Sequence, residues 1–80
     1  MKLQVITPAG IILDKEVERV TVPGAKGGFT VLRNHAPIMS TLMAGSATWL
    51  EGEREGSVTV SGGVVHVSDN VIKIIGICEK

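Results

Sequence analysis

A single cysteine, Cys78, stands in the whole chain. An internal disulfide is therefore excluded, as is a zinc site built from several thiolates, and the lone thiol is compatible with a reducing compartment. Aromatic residues are almost absent: Phe29 and Trp49 are the only two, with no tyrosine. Neither a base-stacking platform nor an aromatic sugar-binding surface can be assembled from them. An excess charge of either sign is missing too. Eight basic and eight acidic residues give a formal net charge of zero, so the broad positive field that draws nucleic acid or an anionic membrane is not available. No uncharged apolar run approaches the length of a spanning helix, and Met1-Lys2-Leu3-Gln4 has no apolar stretch behind its lysine of the kind a secretory signal carries. The expectation is a chain neither inserted in a membrane nor exported by that route. No segment holds the helical apolar period for long, and no repeat or low-complexity tract appears.

What the chain does have is 80 residues at 44% hydrophobic content, enough for one globular domain over residues 1–80. A domain of this size buries only a little over ~60% of the surface its unfolded chain exposes, so a thin stability margin is expected. Short β-branched runs recur from end to end: Leu3 to Thr7, Gly10 to Leu13, Val17 to Val22, Phe29 to Leu32, Ala47 to Leu50, Val58 to Val60, Val64 to Val67 and Val71 to Ile77. That spacing predicts an all-β sandwich or barrel. Turn residues separate the runs at Thr7-Pro8-Ala9-Gly10, Pro23-Gly24, the Glu51 to Gly56 tip, Gly62-Gly63 and Asp69-Asn70, and hairpins are the natural connections. Strict alternation in Ser57 to Ser61 puts Val58 and Val60 on one face and Ser57, Thr59 and Ser61 on the other. Val71 to Ile77 is apolar on both parities except at Lys73 and Gly76, which predicts a strand that is central or docked against another surface. Over His35 to Met43 both a strand and one helical turn stay open.

Catalytic chemistry finds little to work with. A nucleophile with an adjacent base would have to come from Ser61 or Cys78 with His35 or His66, and no spacing joins them. Ser61 precedes Gly62-Gly63, yet the nucleophile elbow needs a glycine two residues upstream, where Thr59 stands; a hairpin turn is the expectation. His66 lies on a strand without a second ligand at metal spacing. Glu16 and Glu18 share a strand face, but Lys15 and Arg19 flank them and a solvated mixed-charge edge needs no cation. The run Gly24-Ala25-Lys26-Gly27-Gly28 lacks both the closing Lys-Ser/Thr and the following helix of a phosphate loop. No catalytic residue, metal or cofactor is expected.

Three stretches, in order, carry a resemblance: Val20-Thr21-Val22-Pro23-Gly24 leading to Gly27, then His35-Ala36-Pro37-Ile38, then Val60-Ser61-Gly62-Gly63-Val64-Val65-His66-Val67. Together with a Thr-Pro-x-Gly opening turn and a closing apolar strand, they resemble the amino-terminal β-sandwich of the epsilon subunit of F-type ATP synthases, called delta in mitochondria. The resemblance runs from Leu3 to Ile77. It implies a β-sandwich of about ten strands, with no chemistry of its own, at the foot of the central stalk. There it would bind the gamma subunit on one side and the c-ring on another and couple ion flow to ATP synthesis, at the cytoplasmic face of a bacterial inner membrane and peripheral to it.

The ring-facing residues that the resemblance implies are Gly27, Gly28, Arg33, Asn34 and His35. For the gamma side the outward residues Ser46, Thr48, Ser57 and Thr59, with Met39 and Leu42, offer a mildly apolar surface, although core packing is an equal reading for Leu42. Two departures stand out. Gly28 occupies the place of a usual glutamate, and Arg33-Asn34 replaces a usual Pro-Gly. Asn34 can take the left-handed backbone conformation that a glycine would supply, and Arg33 adds a charge. The helical hairpin that follows the sandwich in most of the family is not expected in a chain ending at Glu79-Lys80, nor is the inhibition that hairpin carries. The alternative is a stand-alone β-sandwich that binds a small ligand.

Overall fold

Turn chemistry divides the chain into strands β1 (Lys2–Thr7), β2 (Gly10–Glu16), β3 (Arg19–Val22), β4 (Phe29–Leu32), β5 (Ile38–Leu42), β6 (Gly45–Glu51), β7 (Arg54–Ser68) and β8 (Val71–Glu79). The computed structural model describes the backbone of residues 1–79 and the side chains of residues 1–76. The ambiguous stretch before Met43 resolves as a loop and then β5. Asp69 and Asn70, at φ of 52° and 61°, form the two-residue connection between β7 and β8, the positive-φ pair that a type I′ hairpin demands.

The strands form one hydrogen-bonded path, β2-β1-β8-β7-β6-β3-β4, with β5 beside β7. Within it β1 and β8 run parallel. The path folds over on itself in β7. Arg54 to Val60 pair with β6, Val64 to Val67 pair with β5, and the register against β8 slips between Val60 and Gly62. Ser61 is the extra residue of this bulge, and a bulge bends and twists its strand. One layer is thus β4, β3, β6 and the first half of β7; the other is β2, β1, β8, the second half of β7, and β5.

One expectation needs correction at this bend. Gly62-Gly63 is not a hairpin turn but the interior of a strand that runs unbroken through 15 residues. Running through the bend, β7 does the work of two shorter strands, one in each layer, and the described residues form eight strands of the implied sandwich. Gly63 and Gly76 are needed by a close approach of two paired strands: they stand opposite each other, at φ of 135° and 159°. A Cβ on Gly63 would overlap the Ile75 carbonyl oxygen and lie 2.9 Å from Gly76 Cα; one on Gly76 would overlap the Gly62 carbonyl oxygen.

Inward parity from both layers fills one apolar core. Leu3 and Val5 of β1, Val20 and Val22 of β3, Val58 and Val60 of β7's first half, Val65 and Val67 of its second, and Ile72 and Ile74 of β8 are buried together. Trp49 of β6 faces Gly56 across the hairpin, and its ring occupies the space a side chain on Gly56 would need. Among the described residues no polar side chain is buried. The buried side chains are therefore apolar throughout and held by close packing, on strands joined by backbone ladders, which makes for a stiff body.

Candidate functional site

The groups that could have supported catalysis lie apart. Ser61 is exposed at the bulge, and His66 follows five residues along the same strand, roughly 16 Å away at strand rise. His35 is in the β4–β5 loop, where Nδ1 donates to the Ala36 carbonyl at 2.7 Å; this bond fixes the ring against its own loop. The side chain of Cys78 lies outside the described residues. Glu16 ends β2 with its carboxylate 3.0 Å from the Met1 amine, whereas Glu18 sits in the β2–β3 connection and donates its backbone N–H to the Leu50 carbonyl. They do not make a shared cation face, and among the described residues no group of three acidic, His or Cys side chains converges.

The proposed ring-facing residues fall at the two ends of β4. Gly27 and Gly28 close the β3–β4 loop just before Phe29, and Arg33, Asn34 and His35 follow Leu32. The span from Gly28 to Arg33 is roughly 16 Å. The second group is tied down by hydrogen bonds. Asn34 has φ of 63°, its backbone N–H donates to Asn70 Oδ1 at 2.6 Å, and Asn70 Nδ2 donates back to Asn34 Oδ1 at 3.0 Å. Asn70 also accepts, at its carbonyl, the N–H of Lys2 at 2.8 Å. The loop is thereby clasped to the β7–β8 turn and to the start of β1.

The residues read as a gamma surface divide between opposite faces. Ser46 pairs with Thr59 and Thr48 with Ser57 on the outer face of the first layer. Thr21 and Thr30 extend the row, with their hydroxyl oxygens 2.9 Å apart. This face carries an uncharged band of hydroxyls. Met39 is instead 69% exposed on the outer face of the second layer, paired with His66. Leu42 is only 7% exposed and belongs to the core, so it offers no surface to a partner.

That second outer face holds residues the sequence reading passed over. Ile11 stands opposite Ile6, Ile6 opposite Ile75, and Ile75 opposite Val64. Direct cross-strand partners share a face, so the four make an aliphatic row across β2, β1, β8 and β7. Ile11 is 58% and Ile75 45% exposed. One pleat away the row is bordered by Asp14, Gln4, Lys73 and His66, with Gln4 Nε2 donating to Asp14 at 3.3 Å and the Lys2 amine 3.4 Å from it. An apolar strip with a polar rim is the anatomy of a protein contact. Its sequence signal was the excess apolar parity of β8, which fits a strand docked on its outer side.

No helix among the described residues is long and apolar enough to cross a membrane. The family model described as the ATP synthase delta/epsilon chain β-sandwich domain matches residues 1–76. An ATP synthase epsilon chain from Anaeromyxobacter sp. (strain K) is 39% identical over 75 residues, covering 94% of this chain and 57% of the relative. One from Leptospira interrogans is 40% identical, covering 94% and 59%. The chain thus spans a little over half the length of these curated relatives. Among solved structures, a chain of the Euglena gracilis mitochondrial ATP synthase superposes with a TM-score of 0.83 at 29% identity, over 91% of this chain and 48% of that one. A chain of the Tetrahymena thermophila mitochondrial enzyme shares the fold, with a TM-score of 0.77 at 20% identity over 94% and 61%. An all-strand sandwich, the ordered motifs and a family match along nearly its whole length converge on one conclusion: the chain belongs to the ATP synthase delta/epsilon family and carries its β-sandwich domain.

Proposed function

We propose that this sandwich is a central-stalk component of an F-type ATP synthase rotor, joining the gamma subunit to the c-ring, coupling ion flow to ATP synthesis and performing no chemistry itself. The observation that carries the proposal is the aliphatic row Ile11, Ile6, Ile75 and Val64 on an outer sheet face, paired with a clasped polar loop at one end of the same strands. A rotor bridge needs two contact surfaces on a body that does not yield, and close-packed sandwich interiors are suited to that load. The relatives' shared name, ATP synthase epsilon chain, supports the assignment. So does the assembly in which the Euglena neighbour was solved, described as OSCP/F1/c-ring.

In this reading the gamma subunit covers the aliphatic row and Met39, and the ring meets Arg33, Asn34 and His35. Gly27 and Gly28 form a second candidate ring surface, and Ser46, Thr48, Ser57 and Thr59 a second candidate gamma surface. Each is separate from the first of its kind because of the geometry above. The chain would work at the cytoplasmic face of a bacterial inner membrane, attached only through the complex. Mixing it with the gamma subunit tests the proposal. A stable one-to-one complex by size-exclusion chromatography with light scattering is expected, and the absence of any complex at micromolar concentration would reject it.

A further inference from the structure

The β4–β5 loop is held by more than its own turn. Asn34 and Asn70 are far apart in sequence, both have positive φ, and they exchange hydrogen bonds in both directions, at 2.6 and 3.0 Å. Positive φ alone would be satisfied by glycine at either position. What asparagine adds at both is the reciprocal amide bond. We infer that Asn34 and Asn70 are positioning residues, whose clasp presents Arg33 and His35 in one fixed arrangement to the polar loops of the ring. The inference rests on the proposed ring contact of that loop.

The physical case is one of order before binding. Arg33 is exposed and His35 half-buried, and among the described residues Arg33 forms no ion pair. Side chains on an untied loop would lose conformational freedom on docking, and that loss subtracts from affinity. The clasp removes part of it in advance. It also ties the loop to β1, because Asn70 accepts the Lys2 N–H. A sideways load on Arg33 or His35 is then shared by β1, β7 and β8 instead of being absorbed by a loose connection.

The decisive comparison uses the chain bound to its gamma subunit, with affinity for detergent-solubilised c-ring as the readout. Asn70→Gly keeps the positive-φ turn and deletes both clasp bonds. Loss of two solvent-exposed neutral bonds should weaken ring binding roughly five- to tenfold, leave gamma affinity unchanged, and raise hydrogen exchange at the residue 34 amide. Asn70→Asp should restore ring binding to within about twofold, since its carboxylate accepts from the Asn34 N–H and from the Asn34 amide after it turns over. Normal ring affinity in Asn70→Gly, or failure of Asn70→Asp to recover it, overturns the clasp while leaving the ring contact standing. The double variant Arg33→Ala/His35→Ala separates the two ideas: if it too binds the ring normally, the ring contact itself is wrong and the clasp falls with it.

Discussion

The close approach of β7 to β8 at Gly63 and Gly76 makes a sharp demand that a stability measurement can meet or break. Gly63 sits at φ 135°, where an L-residue stores roughly 1–3 kcal/mol of backbone strain. Its missing Cβ would overlap the Ile75 carbonyl oxygen and stand 2.9 Å from Gly76 Cα. These are backbone atoms of a central strand, so relief requires moving β8, and overpacking of that kind adds about 1–3 kcal/mol. Gly63→Ala should therefore lose roughly 2–6 kcal/mol from a domain whose whole stability is ~4–12 kcal/mol. At about 4–8 °C per kcal/mol for this size, the melting temperature should fall by at least about 8 °C, or folding should fail. Gly52→Ala is the control. Gly52 also has positive φ, 62°, but nothing lies within 4 Å of its added Cβ, so only a left-handed penalty of about 1–2 kcal/mol applies. Thermal unfolding followed by Trp49 fluorescence and circular dichroism reads both. A Gly63→Ala melting temperature within about 5 °C of wild type, or no lower than that of Gly52→Ala, would refute the steric argument.

Three further outcomes follow from the surfaces and the core. Ile75→Lys, on an exposed site at the middle of the aliphatic row, should weaken gamma binding at least about tenfold by burying an unpaired charge, with little change in melting temperature; isothermal titration calorimetry checks this, and undiminished affinity would remove the row from the interface. Arg33→Ala should leave the fold and ATP hydrolysis intact but lower ATP-driven ion pumping in reconstituted vesicles, and normal pumping would remove Arg33 from the ring contact. Gly56→Val should displace the Trp49 ring that occupies its side-chain space; a red-shifted emission in the folded state is expected, and an unchanged spectrum would contradict the packing.

How much of this was legible depended on whether the cause was local. The hairpin at Asp69-Asn70 could be read because two residues that tolerate positive φ stand between apolar runs, and both do adopt it. Alternation in Ser57 to Ser61 gave the faces of Val58 and Thr59 correctly for the same reason. Gly62-Gly63 misled because a pair of glycines looks alike whether it turns the chain or lets two paired backbones come unusually close. Only the partner, Gly76, distinguishes them, and it lies on another strand. Leu42 could not be assigned to core or surface until β5 was placed against β7. The aliphatic row was the hardest to see, since Ile11, Ile6, Ile75 and Val64 are scattered along the chain and become neighbours only through three strand registers.

The two principal surfaces proposed for contact share the same strands, and this has a mechanical consequence. Asn70, which anchors the clasped loop, is in the turn joining β7 to β8, and Ile75 and Val64 lie on those two strands beyond it. From Asn70 to Ile75 is five residues, roughly 16 Å along β8. In the proposed rotor a load entering at Arg33 and His35 passes through the Asn34–Asn70 clasp into the turn and then runs along β7 and β8, in the direction where a strand is covalent and already extended. It leaves through the aliphatic row to gamma. Along this path the weakest links are the two clasp bonds and the outer contact, not the core, so variants at Asn70 should degrade coupling before they degrade stability. Gly63→Ala should do the reverse, since it acts on the close approach of β7 and β8 inside their ladder and not on either proposed contact.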